Sequence, residues 1–213
     1  MKRPANWPDE AVWPPTTYNE LTRAYLDETV CVDCGARPRQ IDCGCDLSKW
    51  QAIQAETWRD NFELQKIPGM GVGVFALNDV DAKVVIGELA GLLRPSNHKA
   101  SDSAKHYESK LDIGPYQTKV KQPYAYIDVW EYGSWTRFIN HSCEANTAFL
   151  EARVGRNRLL TVETTQKIKA GTQVTVDYGE GFFEGDDKCR CGTRSCDNPY
   201  EEWDSANEEE EEE

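Results

Sequence analysis

Eight cysteines constrain this chain more than any other feature, because seven of them fall in two tight clusters and the eighth stands alone. Cys31, Cys34, Cys43 and Cys45 spell C-x2-C-x8-C-x-C within 15 residues. Cys189, Cys191 and Cys196 spell C-x-C-x4-C within eight, and Cys143 is left over. The stretch Met1–Pro8 has no apolar core of a secretory signal, so an intracellular, reducing setting is expected. There, clustered thiols serve as metal ligands more often than as disulfides. A closed structural zinc site takes four ligands in a tetrahedron. The first cluster can supply all four alone, while the second supplies three and needs one more. The competing use of either cluster is as reduced, partly buried thiols. Residues 28–50 are short and rich in turn chemistry (Gly35, Pro38, Gly44), a segment that could hardly fold without a staple.

Length and charge narrow the class further. A chain of 213 residues suits one domain of moderate size with appendages. No apolar run approaches the ~18 residues of a membrane span. Net charge is −13, but nine acidic side chains lie in residues 201–213, and removing them leaves −4 for residues 1–200. The run Glu208–Glu213 repels itself and is expected to be a disordered, solubilising tail or a lure for a basic partner. A mildly acidic body argues against sequence-specific DNA binding, which normally needs a basic patch.

Along the chain, residues 1–27 read as a Pro- and Trp-rich extension packed on the body, with a short helical stretch near Tyr18 to Asp27. Residues 28–61 read as the cysteine-rich zinc segment, 62–180 as the main domain, 181–203 as a second zinc segment and 204–213 as the acidic tail. From Phe62 the pattern is of short strands between turns: 62–66, 84–89, 124–130, 158–162 and 173–176, a mainly β architecture. The glycine-rich stretch Pro68–Ala76 lacks the spacing of a phosphate-binding loop and reads as a tight turn between strands, where a ligand or another backbone comes close. Residues 94–123, with His98 and His106, read as a polar surface insert. His141-Ser142-Cys143 does not read as a nucleophile with its base, because residues so close in sequence rarely point at each other.

Four motifs, in order, resemble those of SET-domain protein lysine methyltransferases. Arg137-Phe138-Ile139-Asn140-His141-Ser142-Cys143 is similar to the family's asparagine–histidine motif, and Val174-Thr175-Val176-Asp177-Tyr178-Gly179 to its second signature. Met70-Gly71-Val72-Gly73 with Gly87-Glu88 resembles its N-terminal segment, and Cys189–Cys196 its post-SET C-x-C-x4-C. The resemblance covers about residues 62–198.

The resemblance implies small sheets of short strands, few short helices and a pseudoknot made by the asparagine–histidine segment. It also implies two zinc ions, with Cys143 joining Cys189, Cys191 and Cys196 at the second. S-adenosylmethionine would contact Met70, Gly71, Val72, Arg137, Asn140, His141 and Tyr178, with Tyr200 and Trp203 candidates to cover its adenine. Tyr178 would be the catalytic residue, orienting the lysine amine and stabilising the methyl group in flight. Two departures matter. Val85 and Val176 stand where the family usually has aromatic channel residues, which predicts a wide lysine channel and multiple methylation. The four upstream cysteines also fall short of the nine-cysteine cluster of the heterochromatin-forming subgroup. The implied activity is lysine N-methylation of a histone tail or other basic peptide, free or within a nucleosome, in the nucleus and on the chromosome. A silent scaffold in chromatin and a methyltransferase of non-histone proteins are the alternatives.

Overall fold

The computed structural model describes residues 29–37, 40, 42–95, 107–112, 124–183, 187–196 and 198–200. The expected N-terminal extension and its helical stretch, His98, His106, Trp203 and the acidic tail lie outside the described residues. No helix among the described residues is long and apolar enough to cross a membrane.

The architecture is mainly β, with small mixed sheets, as expected. Among the described residues, ten strands follow one α-helix: β1 (Phe62–Ile67), β2 (Gly71–Ala76), β3 (Val85–Glu88), β4 (Gly91–Pro95), β5 (Glu108–Asp112), β6 (Tyr124–Gly133), β7 (Asn140–His141), β8 (Thr147–Val154), β9 (Asn157–Thr164) and β10 (Gln173–Val176), with a 3-10 turn at Trp135–Phe138 before β7. One sheet has the order β1-β2-β10-β8-β9-β3, with β7 also beside β10; the other has the order β4-β6-β5. The glycine-rich turn closes the β1–β2 hairpin, pairing Ile67 with Gly71, with Gly69 and Gly71 at φ of 73° and 75°. That backbone region is open to glycine at little cost, which explains the residue type there.

Two differences from the sequence reading have physical causes. The cysteine-rich segment continues into α1 (Leu47–Asn61), a 15-residue helix capped by the Asp46 carboxylate, which accepts from the Lys49 N–H at 3.0 Å. Its sequence has no Gly or Pro after the cap and is rich in helix formers, but it buries only Trp50, so its apolar periodicity is faint. The supposed surface insert contributes β5, whose Leu111 is buried with Leu89, Ala125, Ile127, Val129 and Leu160.

The largest core cluster joins both ends of the strand series: Phe62, Val74, Ile86, Ile139, Val162, Ile168, Val174 and Val176 are all buried together. Burying each such side chain fully stabilises by about 1.5–3 kcal/mol. The first cysteine loop is held to this body by Arg153 of β8, whose side chain has no solvent exposure. Its guanidinium donates to the carbonyls of Thr29 (3.2 Å), Ala36 (3.1 Å), Arg37 (3.2 Å), Gln40 (2.9 Å) and Gly155 (2.7 Å). Backbone bonds run alongside, Val32 N–H to Arg153 O at 2.9 Å and Arg153 N–H to Val30 O at 3.1 Å. Replacing Arg153 by Met keeps the stem but strands these carbonyls, so urea unfolding should show a loss of about 3–5 kcal/mol. A loss below about 1 kcal/mol would mean that the loop holds itself.

Candidate active site and thiolate clusters

The residues of the asparagine–histidine motif and of the second signature meet because β7 runs parallel to β10, with Asn140 opposite Thr175 and His141 opposite Val176. Just past that pairing, the Tyr178 N–H donates to His141 Nδ1 at 3.1 Å and the Tyr178 hydroxyl donates to the Ile139 carbonyl at 2.8 Å. Ser142 N–H donates to Val176 O at 3.1 Å. These crossing contacts stand where the resemblance predicts a pseudoknot. Since His141 Nδ1 accepts, its proton resides on Nε2, which lies 3.3 Å from Cys143 Sγ. Burial pushes the His141 pKa down against the attraction of Asp177, keeping the ring neutral.

Tyr178 borders a cavity of about 820 Å³. The cavity walls are apolar where Leu89, Val129, Ile139, Phe149 and Leu160 meet, and Glu108, Glu151 and Asp187 also line it. Burial, more than the nearby Tyr107, pushes the Tyr178 phenol up to about 12. The hydroxyl therefore stays neutral, with its proton on Ile139 O and its lone pairs free to accept a hydrogen bond. Phe182 and Phe183 complete this wall. The Phe182 ring is 4.5 Å from that of Tyr178, and the Phe183 ring is 5.0 Å from His141. Sequence reasoning misses both phenylalanines, although the aromatic pair that follows Tyr178-Gly179 after two intervening residues is the available signal.

The other expected site residues separate into two sets. Asn140 lies beside the β1–β2 turn: a side chain on Gly73 would come within 3.0 Å of Asn140 Nδ2. That Nδ2 is buried and has no hydrogen-bond partner among the described residues, so the amide fits a polar ligand placed between the turn and β7. Met70 ends the turn and Gly71 and Val72 open β2, with open space around Gly71. Arg137 lines the cavity and donates to the Trp130 carbonyl. Val85 and Val176 do not line the cavity. Val176 is fully buried in the large core cluster, and Val85 packs on the cluster of Trp50, Val154 and Leu159. Their strand faces turn them inward, so the cavity wall is set by Leu89, Ile139, Phe149, Leu160 and Phe182 instead.

The cysteines assemble as four and four. The sulfurs of Cys31, Cys34, Cys43 and Cys45 lie within 4.8 Å of one another, and so do those of Cys143, Cys189, Cys191 and Cys196. A tetrahedral zinc with Zn–S of about 2.3 Å separates its sulfurs by about 3.8 Å, so both sets fit one ion each. The titration pattern agrees. In the first set, the Cys45 N–H and then the Arg153 guanidinium bring Cys43 down to about 6, against the effect of burial, while Asp33 and neighbouring thiols push Cys45 up. In the second, burial opposes ionisation at Cys191, but the Thr193 hydroxyl and nearby N–H groups bring it down to about 6. Burial and the neighbouring thiols push Cys143 up to about 11 and Cys189 up as well. A dication held by either set would favour the thiolate form of its ligands. Metal analysis of protein purified without chelator should give two zinc ions per chain, Cys45→Ser and Cys143→Ser each reducing this to one. Retention of both ions in either variant would contradict the pairing.

Residues 71–179 match the SET domain family. The chain is similar to a SET domain-containing protein of Phaeosphaeria nodorum, 33% identical over 132 residues, covering 60% of this chain and 19% of that protein. It is also similar to the histone-lysine N-methyltransferase EHMT1 of Mus musculus, 30% identical over 161 residues, covering 72% of this chain and 12% of that protein. A histone-lysine N-methyltransferase of Mycosarcoma maydis that is specific for H3 lysine-36 is 24% identical over 184 residues, covering 83% of this chain and 18% of that protein. The chain thus spans less than a fifth of the length of each of these three relatives.

Proposed function

Because the chain belongs to the SET-domain family, we propose that it is a protein lysine N-methyltransferase that uses S-adenosylmethionine and acts on a histone tail in the nucleus. The observation that carries this reading is the Tyr178 hydroxyl, half-buried at the edge of the cavity and donating its own proton to Ile139 O. The kinship with histone-lysine methyltransferases supports the substrate class, and an acidic body suits a basic peptide.

When bound, S-adenosylmethionine supplies an activated methyl group on a positively charged sulfur. The chain's own residues do the rest. Methyl transfer to an amine is an in-line displacement, so catalysis is chiefly positioning. Asn140, with its buried and unpartnered amide, and the Met70–Val72 segment would hold the donor, while Tyr178 at the cavity edge would face the amine. A lysine ammonium normally has a pKa of about 10.4. Where Leu89, Ile139, Phe149 and Leu160 meet, desolvation would favour loss of its proton before attack, against the pull of Glu108, Glu151 and Asp187 elsewhere on the lining. The Tyr178 oxygen accepts an N–H of the neutral amine and turns its lone pair toward the methyl group. Zinc at Cys143, Cys189, Cys191 and Cys196 would hold the segment carrying Phe182 and Phe183 against this wall.

The test is transfer of labelled methyl groups to core histones and nucleosomes by wild type and Tyr178→Phe. Label on one histone, falling at least about 100-fold in the variant, is the expected result. The roomy cavity should also yield di- and trimethyl product in mass spectra. Equal labelling by the variant would remove Tyr178 from the mechanism. No label from zinc-loaded protein would redirect the reading to other substrates or to a silent scaffold.

A further inference from the structure

The C-terminal cysteine hairpin touches the β1–β2 turn through the side chain of Arg190, which sits between two zinc-type ligands, Cys189 and Cys191. On one face, the Arg190 guanidinium carbon lies 3.5 Å from the centre of the Tyr200 ring. Its Nη1 also abuts Gly69: a Cβ built there would meet Arg190 Nη1 at 2.7 Å. Gly69 thus leaves the room that the guanidinium occupies, and its φ of 73° separately favours glycine. Tyr200 is brought under Arg190 by the backbone, because its N–H donates to Cys189 O at 2.7 Å and Cys189 N–H donates to Asn198 O at 2.8 Å. The Asn198 side chain then donates to the Phe183 carbonyl at 3.0 Å, tying the hairpin to the cavity wall. Tyr200, expected from the sequence to cover adenine, therefore has its ring engaged by Arg190.

Resting on the methyltransferase reading, we propose that Arg190 is a positioning residue, a clasp that couples closure of the Cys143–Cys189–Cys191–Cys196 cluster to the shape of the cofactor turn. The β1–β2 ladder fixes both ends of the turn, Ile67 against Gly71, and leaves Pro68–Met70 between them. Within it, Met70 N–H donates to Ile67 O at 3.2 Å, and Pro68, Gly69 and Gly71 are exposed. A planar guanidinium can stack on an aromatic ring and on a glycine backbone together, whereas an ammonium offers no flat face. With the cluster closed, Arg190 presses on Gly69 and sets the path of Met70-Gly71-Val72; with it open, the turn loses that support. Coupling of this kind is reciprocal: whatever the hairpin does for ligand at the turn, ligand does for metal in the hairpin.

The experiment uses the full, zinc-loaded chain and S-adenosylhomocysteine as probe, with calorimetric binding and zinc release to a chromogenic chelator as the two readouts. Wild type should bind the probe, and the probe should slow release of one of the two ions. Arg190→Ala and Tyr200→Ala should each keep two zinc ions, weaken binding about tenfold and abolish that slowing, with Arg190→Lys failing to restore it. In kinetics the loss should fall on KM for S-adenosylmethionine and leave kcat at saturation near wild type, because Tyr178 is held by Ile139 and His141 independently of the clasp. If Arg190→Ala loses zinc outright, the Tyr200→Ala arm decides. Binding and zinc release unchanged in Tyr200→Ala would overturn the clasp. No binding by wild type would overturn the methyltransferase reading as well, whereas equal binding by wild type and variants would overturn the clasp alone.

Discussion

The short parallel pairing of Thr175–Val176 with Asn140–His141 is the contact on which the rest of the site depends. Two pairs of residues are too few to hold a parallel alignment alone, and the neighbouring side chains supply the remainder. Asn146 acts as an extra strand residue: its Oδ1 accepts from Thr175 N–H at 2.9 Å and its Nδ2 donates to Gln173 O at 2.8 Å. Thr147 Oγ1 donates to Thr175 O at 2.7 Å, so the backbone polar groups of β10 find partners although β8 meets it at a single register point. Beneath, Ile139, Val174 and Val176 are sealed in one apolar cluster. A one-residue slip would turn those valines toward solvent, which fixes the register and with it the place of Tyr178.

Both flanks of this sheet end in thiol clusters, and each is joined to the body by an arginine serving a different purpose. Arg153 is fully buried and gathers the carbonyls of the first cysteine loop, with its guanidinium also 3.5 Å from Cys43 Sγ. Its charge sits beside sulfurs that become anionic with metal, so the burial of a cation is offset locally. The fit is close: a side chain at Gly155 would come within 2.2 Å of the Cys45 carbonyl. Arg190 is exposed and stacks in place of pairing. The first end is built as a permanent joint, and the second as a closure near the site.

Much of this was legible in the sequence, because strands with turn chemistry between them and clustered cysteines leave local marks. The stretch 173–176 is β10 as read, and the strands at 62–66, 84–89, 124–130 and 158–162 lie within a residue or a few of their observed bounds. The division of eight thiols into two fours also holds. What was hidden depends on partners remote in sequence. Helix α1 exposes most of its surface, so it shows little amphipathic pattern. Arg153 and Arg190 look like ordinary surface charges until the segments they join are placed together. Val176 was assigned to the channel by its spacing from Tyr178, but the facing of its strand sends it into the core and leaves Phe182 beside the tyrosine.

In the proposed reading, the cavity beside Tyr178 would take the lysine while Asn140 and the segment after the β1–β2 turn would hold the donor. The most direct measurement is a crystal structure of the zinc-loaded chain with S-adenosylhomocysteine and a histone-tail peptide. The account predicts the homocysteine sulfur near Asn140 and the lysine nitrogen within hydrogen-bond distance of the Tyr178 hydroxyl, enclosed by Leu89, Phe149 and Phe182. A lysine bound outside this cavity, or a donor away from Asn140, would contradict it.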